Sequence, residues 1–465
     1  MKSTMPTLPP SRAVGKFFNG FTGISFDTLS AVLLIALAAP TLHAADGNAK
    51  SKSSGQPNSG PRLTSDLRGA VTTHDGQHLH LILDLGNIVV HTQDSGKIDY
   101  TVHLETDASQ KDAKEMLKRF AVNARGTREG VYFRGQTFGR ECSGRLWVTV
   151  TVNVPKNYSL DMSTGGGNIE TEDIIGRVAV HTSGGNITTG NIGGAARLET
   201  EGGHITVKNV AGELVATTGG GHITTGSVAG NASLHTSGGH IRMASVEGTG
   251  KLETGGGNVT VEHSGTELIA STVGGQIEVG ETAGLVRAKT GGGGIRVVRV
   301  SGPTNLETGG GSIYLTQVDS AVKASTGAGA ITAWFVSPVK TPSRCELQSN
   351  DGDIVVYIPR QMPVTIDAQV ELGDEHRVIV DPAFALKVSY EGNSDRGHMV
   401  RAEGPLNGGG EVLHLRTVAG NIQLVVSDAN KQLQLYKQQM EQLEQKLQMQ
   451  LRMLEKSQRS SETAP

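Results

Sequence analysis

Three histidines, His204, His222 and His240, stand at equivalent places 18 residues apart, each directly before an Ile. In strands stacked at that repeat their imidazoles would lie roughly 4.8 Å apart, a spacing at which two neighbours could share a Zn or Cu ion. Other repeats carry Asn168, Asn186, Asn258, Gln276, Gly294, Ser312 and Ala330 there, which is a preference for polar turn residues rather than a ligand set. Asp351 and Asp353 in SNDGDI offer carboxylates to Ca, but they occupy a glycine-turn position with few oxygen ligands nearby and read as a tight Asp-Gly turn. Glu199, Glu253 and Glu307 recur three repeats apart, roughly 14 Å on strand spacing, too far to act as a pair on one glycosidic bond. No catalytic residue, cofactor site or metal site is expected.

These residues sit in a strict repeat. A Gly-x-Ile or Gly-x-Val unit recurs at Ile169, Ile187, Ile205, Ile223, Ile241, Val259, Ile277, Ile295, Ile313 and Ile331, always 18 residues on. Two residues earlier stands Gly, from Gly167 to Gly329; five earlier stands Thr, from Thr164 to Thr326; seven earlier the residue is apolar, as in Met162, Val180, Leu198 and Leu234. Ten such units without an insertion predict a solenoid. The apolar residue and the Thr share parity and therefore one strand face, while the residue between them, His181, Glu199 or His235, points to water. The Gly pair predicts a bend with positive φ or with backbone packed too closely for a Cβ. After the bend the Ile opens a second strand. Each coil is then two short strands and two bends, stacked in parallel, and the inward Thr must bond either the next Thr or a Gly-turn carbonyl. An outward Thr-x-Thr ladder of the kind that binds ice is absent, because this Thr alternates with apolar residues on the inner face.

The predicted fold is thus all-β, a parallel β-solenoid of ten 18-residue coils with β caps at both ends, one short helix in the N-terminal cap and a C-terminal helix. Residues 1–44 read as a signal peptide: Lys2, Arg12 and Lys16 precede the apolar run Leu29 to Ala39 and a small-residue site ending at Ala44. A flexible leader follows over 45–65, then an N-terminal β cap with one helix over 66–160, in which Ser109 caps a helix placing Ala113, Met116, Leu117 and Phe120 on one face. The repeats span 161–336 and an irregular C-terminal β cap 337–427. In the amphipathic segment 428–458, Leu433, Tyr436, Met440, Leu443, Leu447 and Leu454 form an a/d seam, read either as a coiled coil or as a helix packed back on the solenoid end. Residues 459–465 are a disordered tail.

Composition agrees. The 465 residues include 63 Gly and only 4% aromatics, which disfavours an ordinary single-core domain, and a net charge of -3 gives no long-range attraction to nucleic acid. No stretch after the signal is long and apolar enough to span a bilayer. The two cysteines, Cys142 and Cys345, flank the ten coils and would stand roughly 45 Å apart on strand spacing, so they are expected to remain unbonded to each other.

The run VTVTVNVPKNYSLDMSTGGGNIETEDIIGRVAVHTSGGNITTG and the later VRAEGPLNGGGEVLHLRTVAGNIQLVV resemble the bacterial "putative adhesin" family of exported β-solenoid proteins, over about residues 80 to 427. The resemblance implies a fold and carries no catalytic residues across. The resulting expectation is a non-enzymatic, exported, adhesin-like structural module in the periplasm or outside the cell. It would present a rigid polar ladder to a cell-envelope or surface ligand, and its C-terminal helix would pair copies into a homo-oligomer. The alternative is an envelope-associated binding protein in a signalling or stress system, acting through its N-terminal region. A carbohydrate-active enzyme would need acids framed by long loops, and every coil here has one length.

Overall fold

The computed structural model describes residues 62–139, 144–336, 345–373, 375–392 and 398–427, together with Gln434, Lys437, Gln438, Glu441, Gln442, Gln445 and Met449. All lie in one compact unit, Ser59–Pro465. The fold is all-β and solenoid-like, with two long and mostly parallel sheets. One sheet, the isoleucine sheet, collects the strands that open on the repeated Ile, such as Ile187–Thr189, Ile205–Val207 and Ile223–Val228. The other, the threonine sheet, collects the strands that close on the repeated Thr, such as Val178–Thr182, Ala196–Thr200 and Leu214–Thr218.

Register follows the sequence period through the regular coils, with one shift between Leu315 and Val318 where Ile313–Val318 pairs with Ile331–Phe335. Ile187 pairs with Ile205, Ile205 with Ile223 and Ile223 with Ile241 in one sheet, and Thr182 with Thr200 and Thr200 with Thr218 in the other. Because side chains alternate, a one-residue slip would turn every Ile outward, so burial itself holds the register. The repeated Ile and the apolar residue seven before it are both fully buried, as at Ile205 and Leu198.

The core has more columns than the Ile, Leu and Thr predicted. The position nine before the Ile is buried at Leu160, Val178 and Leu214; that two after it at Val207, Met243 and Val261; that five after it at Ile174, Ile192 and Val210. In the first coils this last column is held by single bridges, Ile174 to Ile192 and Ile192 to Val210, beyond a corner in the chain. From Ile223–Val228 onward it lies within one longer strand.

Parallel stacking extends past the regular run into both regions expected to be caps. His78–Leu83 pairs in parallel with Ser159–Thr164, and Asn87–Gln93 with Ile169–Thr171, aligning Leu81 with Met162 and Ile88 with Ile169. The signature survives there as Leu81, Gly86 and Ile88, with Leu83 in the place of the Thr. At the other end Ile331 pairs with Ile354 and Ile354 with Ile422. Antiparallel strands finish each end: Lys97–Thr106 between Leu63–Thr72 and Leu146–Pro155, and Met399–Leu406 between Val364–Val370 and Lys387–Glu391. Strand Leu63–Thr72 begins inside the stretch expected to be leader.

The N-terminal helix runs Gln110–Lys118 with Ser109 as its N-cap, Ala113 and Met116 buried beneath it. Phe120 is not on its apolar face as expected but opens the next strand, Phe120–Gly126. The seam residues of the C-terminal segment, like residues 1–61 and Cys142, fall outside the described residues. Those of the segment that are described are helical and exposed. Cys345 is fully buried in the column nine before the Ile, aligned with Leu413, and burial pushes its thiol up to about 11.

The glycine column is a matter of close approach. A Cβ on Gly221 would overlap the carbonyl of Gly203, and one on Gly239 that of Gly221. Left-handed φ occurs in this column at Gly86, Gly167, Gly352 and Gly420, but at no described glycine from Gly176 to Gly329. At Gly220, one residue earlier, an added Cβ meets nothing within 4 Å. Gly221→Ala should therefore destabilise the protein by about 3 kcal/mol or more, since backbone cannot yield as a side chain can, whereas Gly220→Ala should stay within about 0.5 kcal/mol of the parent. Thermal melts of the two variants check this directly, and equal melts would exclude close approach as the cause.

Candidate functional site

In the coils from Thr182 to Thr308, the turn that leads from the threonine sheet to the isoleucine sheet is closed by the same pair of bonds. The Thr hydroxyl of one coil donates to the glycine carbonyl of the coil before, as Thr200 to Gly185 O, Thr218 to Gly203 O and Thr236 to Gly221 O, all at 2.8 Å. The same hydroxyl accepts from the glycine N–H of its own turn, Gly203 to Thr200, Gly221 to Thr218 and Gly239 to Thr236, at 3.1–3.2 Å. Of the two partners open to the inward Thr, the structure selects the Gly-turn carbonyl.

Outside this clasp, the residues directly before the Ile form a ladder from Asn168 to Asn258. Each side chain accepts a hydrogen bond from the backbone N–H of the same position one coil on. Asn168 Oδ1 takes the N–H of Asn186 and Asn186 Oδ1 that of His204; His204 Nδ1 then takes the N–H of His222, His222 Nδ1 that of His240, and His240 Nδ1 that of Asn258, all at 2.8–2.9 Å. Asn Oδ1 and His Nδ1 are both two bonds beyond Cβ, so the two residues exchange in this column without disturbing the coil spacing. Asp353 belongs to the same ladder, its Oδ1 accepting from the backbone N–H of Asn421 at 2.7 Å and from its side-chain amide. Asp351 uses its carbonyl, which accepts from Gly329 N.

The histidines consequently stack. Ring centroids of His204 and His222, and of His222 and His240, are 4.9 Å apart with interplanar angles of 10° and 13°. The Zn sharing considered above does not fit this geometry. Near-parallel rings keep like atoms about one coil apart, whereas two nitrogens on one Zn at about 2.1 Å bonds lie at most about 4.2 Å apart. Desolvation first, then the charges of His204, His240 and Arg242, hold the His222 imidazole below its usual proton affinity; His240 is lowered by desolvation and by Arg242.

A second ladder runs along the corner of the first coils. Asn191 donates its backbone N–H and its side-chain amide to the two oxygens of Asp173, Asn209 donates its amide to Asn191, and Ser227 donates its N–H to Asn209. These bonds hold the Asp173 carboxyl below the usual carboxylate range. The ladder lines a groove of about 460 Å³ with Lys156 and the half-exposed Ile175. Sequence spacing does not single out this column, because Asp173 and the two Asn share an acceptor role and not one residue type, and the column then passes to Ser227.

The regularly spaced acids face outward on the threonine sheet and are paired. Glu199 contacts Arg197 and lies 3.9 Å from His181; Glu253 lies 3.0 Å from Lys251 and 3.8 Å from His235; Glu307 lies 3.0 Å from Lys289. Exposed pairs of this kind contribute at most about 1 kcal/mol each. The structure brings the three acids to one face and not to one another.

Residues 78–289 match the model of the Toastrack DUF4097 family. No curated protein matches the chain. Among solved structures it is similar to one described as a putative cell adhesion protein from Clostridium sporogenes (7% identity, TM-score 0.19, 78% of this chain and 100% of that one). Two others are described as putative adhesins: one from Bacteroides fragilis (13%, 0.29, 56% and 99%) and one from Parabacteroides distasonis (14%, 0.25, 60% and 98%).

The lowered proton affinity of the stacked histidines sets a pH dependence. Above about pH 6.5, the ordinary value, both folded and unfolded rings are neutral and the ladder is intact. As pH falls through that value the unfolded chain binds protons that His222 and His240 resist, so stability is lost on acidification. His222→Asn keeps an acceptor at the same place without a titrating group. Its melting temperature should fall less than the parent's between about pH 7 and pH 5, and parallel curves would refute the linkage.

Proposed function

On the match of residues 78–289 to the Toastrack DUF4097 family model, we propose that the chain is an exported, non-enzymatic binding module acting as an adhesin-like surface. The observation that carries this reading is the side-chain ladder before the Ile, which repeats polar groups at one coil spacing and bonds each coil to the next. Many weak contacts at fixed intervals add when a ligand repeats at a compatible interval. The ligand is a component of the cell envelope or of another surface. Export to the periplasm or cell exterior rests on the signal-like segment 1–44. No helix among the described residues is long and apolar enough to cross a membrane.

The accompanying organisation is ten equal coils over 161–336, β-structured ends, and an amphipathic segment over 428–458 that pairs copies and multiplies the binding face. A second reading, an envelope-associated binding protein in a signalling or stress system, is favoured by one N-terminal feature. His80 bonds Asp161 at 2.8 Å and stacks on Tyr132 beside a groove of about 630 Å³ that also presents Arg128 and Arg177.

A glycan array probed with the mature protein tests the first reading: repeating polysaccharides should be retained, and retention should survive His80→Ala. Loss of all surface binding in that variant would instead select the N-terminal groove. Deleting residues 429 to 465 should leave the β circular dichroism signal intact and lower the mass seen by light scattering; an unchanged monomer mass would refute pairing through the tail.

A further inference from the structure

We propose that His204, His222, His240 and Arg242 form a binding site for an oxyanion group, a sulfate, phosphate or carboxylate borne by a ligand lying along this turn. The inference rests on the reading of the ladder as a binding face and names what that face recognises.

The argument starts from the ring nitrogens. Each Nδ1 accepts a backbone N–H, from His222, His240 and Asn258 in turn. A neutral imidazole with Nδ1 as acceptor must carry its proton on Nε2. The stack is therefore a row of three N–H donors in register at 4.9 Å centroid steps, and no Nε2 has a partner among the described residues. Arg242 stands two residues after His240 on the same coil, half-buried, with no ion pair or hydrogen bond from its guanidinium among the described residues. Other arginines of the fold behave differently: Arg197, Arg287, Arg299 and Arg416 each meet a carboxylate. The charge of Arg242 reaches both His222 and His240.

The surroundings leave the donors without acceptors. The strand positions paired with Arg242 are Thr224 and Thr260, with Thr206 and Glu278 one coil further out on either side; the ladder continues at either end as Asn186 and Asn258, and the carboxylate in the turn of His204, Glu201, makes no ion pair among the described residues. A half-desolvated guanidinium without an acceptor is costly. An oxyanion offers that fork a bidentate partner and accepts from the adjoining Nε2–H groups.

The test is an NMR titration of the full chain with sodium sulfate against sodium chloride at matched ionic strength, reading the ring nitrogens. Saturable shifts are expected at His222 and His240 but not at His181 and His235, which face outward on the other sheet. Arg242→Gln should weaken the binding about tenfold or more, with circular dichroism verifying its fold and His222→Asn verifying that the ladder tolerates substitution. Shifts that grow linearly, that are equal at His181 and His235, or that are unchanged in Arg242→Gln would overturn the site. Phosphorylated, sulfated and uronic-acid glycans, immobilised separately, then distinguish the source of the oxyanion. If sulfate saturates the row while Arg242→Gln still binds its surface ligand like the parent, the site stands and the binding-face reading fails. Persistent surface binding without sulfate saturation overturns the site alone.

Discussion

The repeated threonine hydroxyl, held between the glycine carbonyl of the coil before and the glycine N–H of its own turn, is the interaction on which the rest of the fold depends. It satisfies one donor and one acceptor of a tight bend that the core would otherwise leave unpaired, at a net worth of about 1 kcal/mol per bond and a larger cost if removed. It also fixes how closely consecutive turns approach, which is why glycine follows: the distance that suits the hydroxyl leaves no room for a Cβ at Gly203, Gly221 or Gly239. Once the turns are set, both strands of every coil inherit their register.

That fixed spacing makes the outer ladders possible. An Asn or His before the Ile can reach the next backbone N–H only if the coils neither slide nor splay, and the uniform 2.8–2.9 Å bonds from Asn168 to Asn258 follow from the clasp behind them. The histidines are then structural acceptors on one nitrogen and outward donors on the other. A residue column that serves stability through its inner atom is left free to serve recognition through its outer one.

Most of the stack was legible in the residues because a strict 18-residue period leaves few choices of register, and the Gly, Thr and Ile positions each have one physical reason. What escaped notice did so where the chemistry stayed and the letters changed. The coil at Leu81 to Ile88 lacks the Thr, with Leu83 in its place. In the ladder from Asp173 to Ser227 the acceptors are Asp173, Asn191 and Asn209, so the role persists while the residue type changes. The histidines carried the opposite problem: their spacing was visible, but the Nδ1 bonds that set ring orientation depend on three-dimensional reach, so the parallel stack could not be read from the letters.

The clasp makes a sharp distinction between threonines of one type and equal burial. Thr236 holds both turn bonds, while Thr189, two residues after its Ile, is buried with no partner for its hydroxyl among the described residues. Replacing each by Val, a near match in shape, separates the roles. The most direct measurement is the unfolding free energy of the two variants. Thr236→Val should lose about 1–3 kcal/mol because Gly221 O and Gly239 N–H are left unpaired, and Thr189→Val should be neutral or stabilising because an unsatisfied hydroxyl is removed. Equal effects at the two positions, or a neutral Thr236→Val, would contradict the account.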